Sequence, residues 1–201
     1  MAYTEQPQNL VWTPRSDGPL LGLTYERDQD VVGWHRHELG GQSDSAALFV
    51  PVVEDVAAVP APDGSRDELY MVVQRYINGA DRRYIEYLSP LWEQGDEQED
   101  ANHLDCSWTV VNSPASATVT GLWHLEGETV SVYADGAVHP DVVVTNGTAT
   151  IGYAASIITL GYSYNSDFVT MPPEGGADEG TSQGKIKRIV RLGFWLLDSL
   201  G

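Results

Sequence analysis

Two histidines set two residues apart, His35 and His37 in the run Trp34-His35-Arg36-His37, are the side chains of this sequence best spaced for chemistry. On an extended strand such positions project from one face, so the pair could share a divalent metal. Asp30, Glu38 and His103 are each a conceivable third ligand, and the spacing selects none of them. His-x-His pairs on strands often occur without a metal, and that plainer reading is preferred here. Trp34 and Arg36 fall on the opposite face, where the guanidinium is expected to lie over the indole.

The other reactive groups are less specific. A glycoside hydrolase needs two carboxyl groups across a cleft. Glu54/Asp55 and Glu126/Glu128 are candidates, but 29 acidic residues make such pairs easy to draw anywhere. Cys106 follows His103 by three residues without the context of a catalytic thiol, and a small buried cysteine is the commoner case. The sequence has no Gly-x-Ser-x-Gly elbow, no phosphate-cradling Gly-x-x-x-x-Gly-Lys-Ser/Thr loop and no dinucleotide fingerprint. No catalytic, cofactor-binding or metal-binding residue is therefore assigned, and no cofactor. Six Trp and ten Tyr remain. Several lie near acids (Trp92, Trp108, Trp123, Tyr162, Tyr164) and could stack on sugar rings, although core and cross-strand packing is the plainer role.

The elements that must carry these groups read as strands. Asn78-Gly79 sits between Glu68–Ile77 and Arg82–Leu88, and an Asn-Gly centre between two apolar runs marks a tight hairpin. Asp135-Gly136 and Asn146-Gly147 punctuate Thr129–Tyr133, Val142–Thr145 and Ala149–Tyr153 in the same way. Val130 and Val132 alternate with Thr129, Ser131 and Tyr133, the period of a half-buried strand. Leu10–Glu26 reads as another hairpin, with Gly18 and Pro19 in its turn, and 30–37 as a strand. In 46–59, Pro51 argues for an edge, a bend or a strand restarting at Val52. Cys106–Val111, Ser116–Val119, Ile157–Tyr164 and Phe168–Met171 complete the set. Lys185–Leu200 is β-branched and apolar, and a strand is expected there, returning to the first part of the fold.

Between these, Glu93–Asp105 carries six acids and no Lys or Arg, the composition of a solvated linker. The fold class is therefore all-β. A hairpin-rich, propeller-like sheet spans 10–92, the acidic linker 93–105, a small barrel or sandwich 106–171 and the last strand 185–200.

At 201 residues the chain can bury roughly 70% of its unfolded surface without disulfides or metals. With 29 acidic against 11 basic residues, its net charge of −18 disfavours nucleic acid and anionic membranes as partners. One cysteine excludes an intramolecular disulfide framework. No apolar run approaches the ~20 residues of a membrane span, and MAYTEQPQNL lacks the features of a secretory signal.

Three blocks carry a family resemblance: PRSDGPLLGLTYERDQDVVGWHRHELGG (14–41), DELYMVVQRYINGADRRYIEYL (67–88) and GLWHLEGETVSVYADGAVHPDVVV (121–144). Together they resemble tail proteins of short-tailed phages and prophages, the large hub or nozzle proteins also called stabilisation proteins. The third block resembles a small β-barrel module named after the first catalytic-cysteine half-domain of ubiquitin-activating enzymes, and the segment EGTSQGKIKRIVRLGFW resembles the exit from that module. Members of the family run to several hundred residues, so the resemblance implies that this chain is one part of such a protein or a shortened prophage gene.

The resemblance also implies a non-enzymatic structural role in the virion tail, after synthesis in the host cytoplasm. Expected partners are further copies, in a ring of about six, and other tail, portal or adaptor proteins. A carbohydrate-binding module that aids adsorption to host glycan is the alternative.

Overall fold

A computed structural model describes the chain except for residues 28–29, 93–94, 171–183, 185, 187 and 196–201. It is all-β, with eleven strands among the described residues, arranged in three antiparallel sheets.

The first sheet is a meander of β1 (Ala2–Thr4), β2 (Leu10–Pro14), β3 (Leu20–Glu26) and β4 (Val31–His37), in sequence order. The second holds β5 (Val52–Pro60), β6 (Asp67–Ile77) and β7 (Ala80–Tyr87). The third is ordered β10-β9-β11-β8, from β8 (Asp105–Thr120), β9 (Thr129–Ala134), β10 (Ala137–Val143) and β11 (Thr148–Tyr162).

Turn chemistry explains the tight connections. Asn78 and Gly79 have φ of 49° and 74°, and Asp135 and Gly136 have 46° and 80°. Two consecutive positive φ values are the turn that matches strand twist, and Asn-Gly and Asp-Gly tolerate it best. The hairpins close at Ile77↔Ala80 and at Ala134↔Ala137. Strand β5 starts at Val52, just after Pro51.

Alternation builds the first core. Leu69, Met71, Val73, Arg75 and Ile77 of β6 point inward and are buried, while Tyr70, Val72, Gln74 and Tyr76 between them are half-buried. Leu69, Met71 and Val73 meet Val53 and Val56 of β5, Trp12 and Leu20 of the first sheet, and Leu39 of the loop after β4. The two meanders thus pack face to face, and their other faces remain open. On the first sheet, register places Tyr3, Val11, Leu23 and Trp34 in one row and Tyr25 beside Val32. On the second it pairs Tyr70 with Tyr87 and Val72 with Ile85.

The third sheet has its own core, which includes Val119, Leu122, Leu125, Val130, Val132, Ile151, Ile158 and Leu160. Two pairs of expected strands are single long ones here. Cys106–Val111 and Ser116–Val119 merge into β8, and Ala149–Tyr153 and Ile157–Tyr164 into β11. The β8–β11 register shifts between Thr150 and Ala155 and again before Ile157. Buried apolar positions accordingly switch from odd (Ala149, Ile151, Ala155) to even (Ile158, Leu160). A bulge bends a strand and resets its inward face, which hides one long element from a period-2 reading. A small barrel or sandwich was expected here; the strands form one four-stranded sheet, and among the described residues no ladder joins β8 to β10.

The acidic stretch is anchored at several points. Gln98 Nε2 donates to Gly136 O at 2.8 Å, Tyr133 OH to Gln98 O at 2.6 Å, and Trp92 Nε1 to Glu97 O at 3.1 Å. Ala101 is buried, while residues 95–100 face solvent. Asp105 opens β8.

Residues 1–164 form one compact unit and residues 165–199 a second. In the second, the described residues 165–170, 184, 186 and 188–195 belong to no strand. This corrects the strands expected over 168–171 and 185–200 as far as those stretches are described. A strand gains its stability from a ladder, and these residues have none. The rest of both stretches lies outside the described residues.

Candidate functional site

His35 and His37 lie together on the inner face of β4. His35 Nδ1 and His37 Nε2 are 2.7 Å apart, so the rings share a hydrogen bond. Trp12 of β2 meets both, with ring centroids 5.6 Å from His35 and 5.5 Å from His37. Its Nε1 donates to Thr4 Oγ1 at 3.1 Å. Gly22 of β3 pairs with His35 and makes room for it: a Cβ there would fall 2.1 Å from His35 Cε1.

Burial lowers the pKa of His35. Burial, and then the His35 charge, lowers that of His37. The neutral pair suits this site, because two imidazolium rings could not share a proton. Among the described residues, no group of three His, Cys, Asp or Glu side chains is arranged to hold a metal. Glu38 is engaged with Arg36 at 3.0 Å. That ion pair also replaces the expected Arg36–Trp34 stacking, and Trp34 stands 65% exposed.

A second polar cluster lies outside the residues that spacing marks as candidates. Arg75 is fully buried on the inward face of β6. It makes a bidentate pair with Glu86 of β7, Nε to Oε1 at 2.6 Å and Nη2 to Oε2 at 2.8 Å. Its Nη1 donates to Gly40 O, and its guanidinium lies 5.7 Å from the centre of the Tyr162 ring. Asp105 accepts from Gly40 N at 2.7 Å, so the Gly40 peptide is held from both sides.

No side chain fits at residue 40, because a Cβ would fall 2.4 Å from Ser163 O. Gly41 has φ of +94°, a left-handed value that favours glycine. The junction ties together the loop after β4, strands β6 and β7, and the one end of the β8–β11 ribbon where Asp105 pairs with Tyr162.

Cys106 belongs to this junction. Burial pushes its thiol up to about 12, so it is a protonated thiol at neutral pH and a poor nucleophile. Burial first, and then the Glu128 charge, raises the Tyr162 phenol, and its hydroxyl is buried without a hydrogen-bond partner among the described residues.

The carboxylates considered as acid–base pairs have structural partners. Glu54 binds Arg83 at 2.8 Å, and Asp55 caps Val56 N at 2.9 Å. Glu126 accepts from Asn146 N at 2.9 Å and Gly147 N at 2.6 Å, and Glu128 accepts from Asn78 N at 3.0 Å. These contacts fix turns and edges.

The aromatic residues divide. Trp12 is buried, whereas Trp108 and Trp123 are 48% and 68% exposed. The Trp123 indole rests on the Asn146-Gly147 turn, where a Gly147 Cβ would come within 2.5 Å of it. His124 lies between Trp108 and Tyr84, with centroids 6.2 and 6.4 Å away. No family model matches the chain, and no curated protein matches it.

Proposed function

We propose that this chain is a non-enzymatic structural component of a phage or prophage tail, of the hub or nozzle kind. Its work is to present pleated surfaces to other copies and to neighbouring tail, portal or adaptor proteins. The observation that supports this best is the pair of uncovered sheet faces. Tyr25, Val32 and Trp34 on the first meander and Ile85 and Tyr87 on the second are 49–78% exposed. Apolar rows of this extent on two faces of one unit mark interaction surfaces. The acidic balance suits a part near packaged DNA, since a negative wall repels the duplex and lets it slide.

Mass spectrometry of density-purified particles from a producing culture tests the proposal. The chain should be present at a fixed ratio to the other tail proteins. Its absence from intact particles would remove the reading.

Exposed Trp108 and Trp123 favour one second reading, a glycan-stacking surface that aids adsorption. Titration of bacterial polysaccharides against tryptophan fluorescence decides it, and a flat response across the panel rules it out.

A further inference from the structure

Six strands leave an edge open among the described residues: β1, β4, β5, β7, β8 and β10. Unpaired edges invite pairing with another chain, and proteins blunt them with short length, proline, charge or bulges. Five of the six are blunted. Strand β1 has three residues. Strand β5 lies between Pro51 and Pro60 and its register shifts between Val53 and Asp55. Strand β7 displays Asp81, Arg82 and Arg83. Strand β8 contains Pro114 and three register shifts, and β10 contains Pro140 and a shift between His139 and Val142.

Strand β4 carries none of these devices. It pairs with β3 without a shift from Leu20↔His37 to Glu26↔Val31, and it has no proline and no carboxylate. Its one formal charge, Arg36, is paired with Glu38. Val31, Val32, Gly33 and Trp34 are all exposed.

We infer that β4 pairs antiparallel with β4 of a second copy about a two-fold axis centred on Trp34. The argument for a second copy is self-complementarity. In this register Trp34 meets Trp34 of the other copy, Val32 meets Arg36, Val31 meets His37 and Gly33 meets His35. The last pair repeats what β4 already does within the chain, where His35 lies over Gly22. Gly33 offers that space again, because a Cβ there would have nothing within 4 Å. An aromatic pair at the centre is one of the favourable cross-strand combinations. Each Arg36 stands opposite a valine and keeps its own Glu38, so within β4 the axis brings no like charges face to face; just beyond the strand, Asp30 of one copy comes opposite Glu38 of the other, whose charge Arg36 offsets. A two-fold contact also closes on itself and leaves no edge to propagate. The meaning of this dimer as a unit of tail assembly rests on the proposed function, but the pairing itself does not.

Sedimentation velocity of the full chain over a concentration series is the test, with far-ultraviolet circular dichroism as a control for folding. The wild type should dimerise with a dissociation constant of about 1–100 µM, as suits a small interface. Trp34→Lys should weaken association at least tenfold, by roughly the loss of an interface hot spot. Gly33→Ile is the sharper variant. Gly33 has free space and no left-handed φ, and isoleucine favours strands, so the protomer keeps its fold while the new side chain meets His35 of the other copy. It too should weaken the dimer at least tenfold. A wild type that stays monomeric throughout overturns the inference, whatever other chain then proves to cover β4. A dimer as tight in Gly33→Ile as in the wild type also overturns it. A dimer sensitive to both substitutions, in a protein absent from particles, would leave the pairing standing and remove the tail role.

Discussion

Arg75 offers the most quantitative test of how the unit is held together. Arg75→Ala removes a cation that is 1% exposed and leaves Glu86, itself 15% exposed, facing apolar surroundings with no counter-charge. It also strips Gly40 O of its donor and takes the guanidinium off the Tyr162 ring. Removing one partner of a buried pair costs about 3–5 kcal/mol, because the other charge stays buried and uncompensated. The orphaned Gly40 carbonyl adds about 1–3 kcal/mol. A loss of about 4–8 kcal/mol is a large share of the ~5–15 kcal/mol available to a domain.

The assay is urea denaturation followed by tryptophan fluorescence, read as a lower midpoint at unchanged slope. The double variant Arg75→Met/Glu86→Leu should recover most of the loss, since a well-packed apolar pair often equals a buried ion pair. A single-variant loss below about 1 kcal/mol would refute the idea that this junction ties the sheets together, because that is the size of a surface pair.

The remaining predictions concern the same two clusters. Gly22→Ala should destabilise the unit by about 1–3 kcal/mol through the clash with His35, and adding His35→Ala should restore most of it; equal losses in the single and double variants would contradict the contact. The folded pKa of His37 lies below its unfolded value, so its contribution is present above about pH 6.5 and is lost as pH falls through the depressed folded value. Acid unfolding followed by circular dichroism should therefore show a weaker decline below pH 6.5 in His37→Gln than in the wild type, and identical curves would count against the shared proton. Native Cys106 should react with a thiol reagent at pH 8 at least about a hundredfold more slowly than in urea, given its scarcity of thiolate, and comparable rates would show that the thiol is not buried.

Much of this architecture is legible in the residues alone. Asn78-Gly79 and Asp135-Gly136 locate their hairpins because few other dipeptides accept two positive φ values. Pro51 places the start of β5 for an equally local reason. What local pattern hides is whatever depends on distant partners. The length of β8 and β11 is masked by register shifts that switch the inward face midway along the ribbon.

The buried junction left one trace. Arg75 continues the inward series Leu69, Met71, Val73, and Glu86 sits on the matching face of β7 opposite Met71, so a cation in an apolar row with an acid on the same face of the next strand was a readable sign of a buried pair. The engagement of Gly40, Asp105 and Tyr162 was not readable, because each comes from a different part of the chain. His35 and His37 could be placed on one face from spacing, but whether they bind an ion or each other depends on Trp12 and Gly22 beside them. Strand propensity over 185–200 did not translate into a strand at 186 and 188–195, since propensity without a ladder partner is a weak force.

Antibody labelling of particles from a producing culture, viewed by electron microscopy, tests the central claim most directly. Antibodies against residues 1–164 should decorate the tail, at a constant place from particle to particle. Intact tails that never carry the label, in a preparation where the free protein is readily recognised, would contradict it.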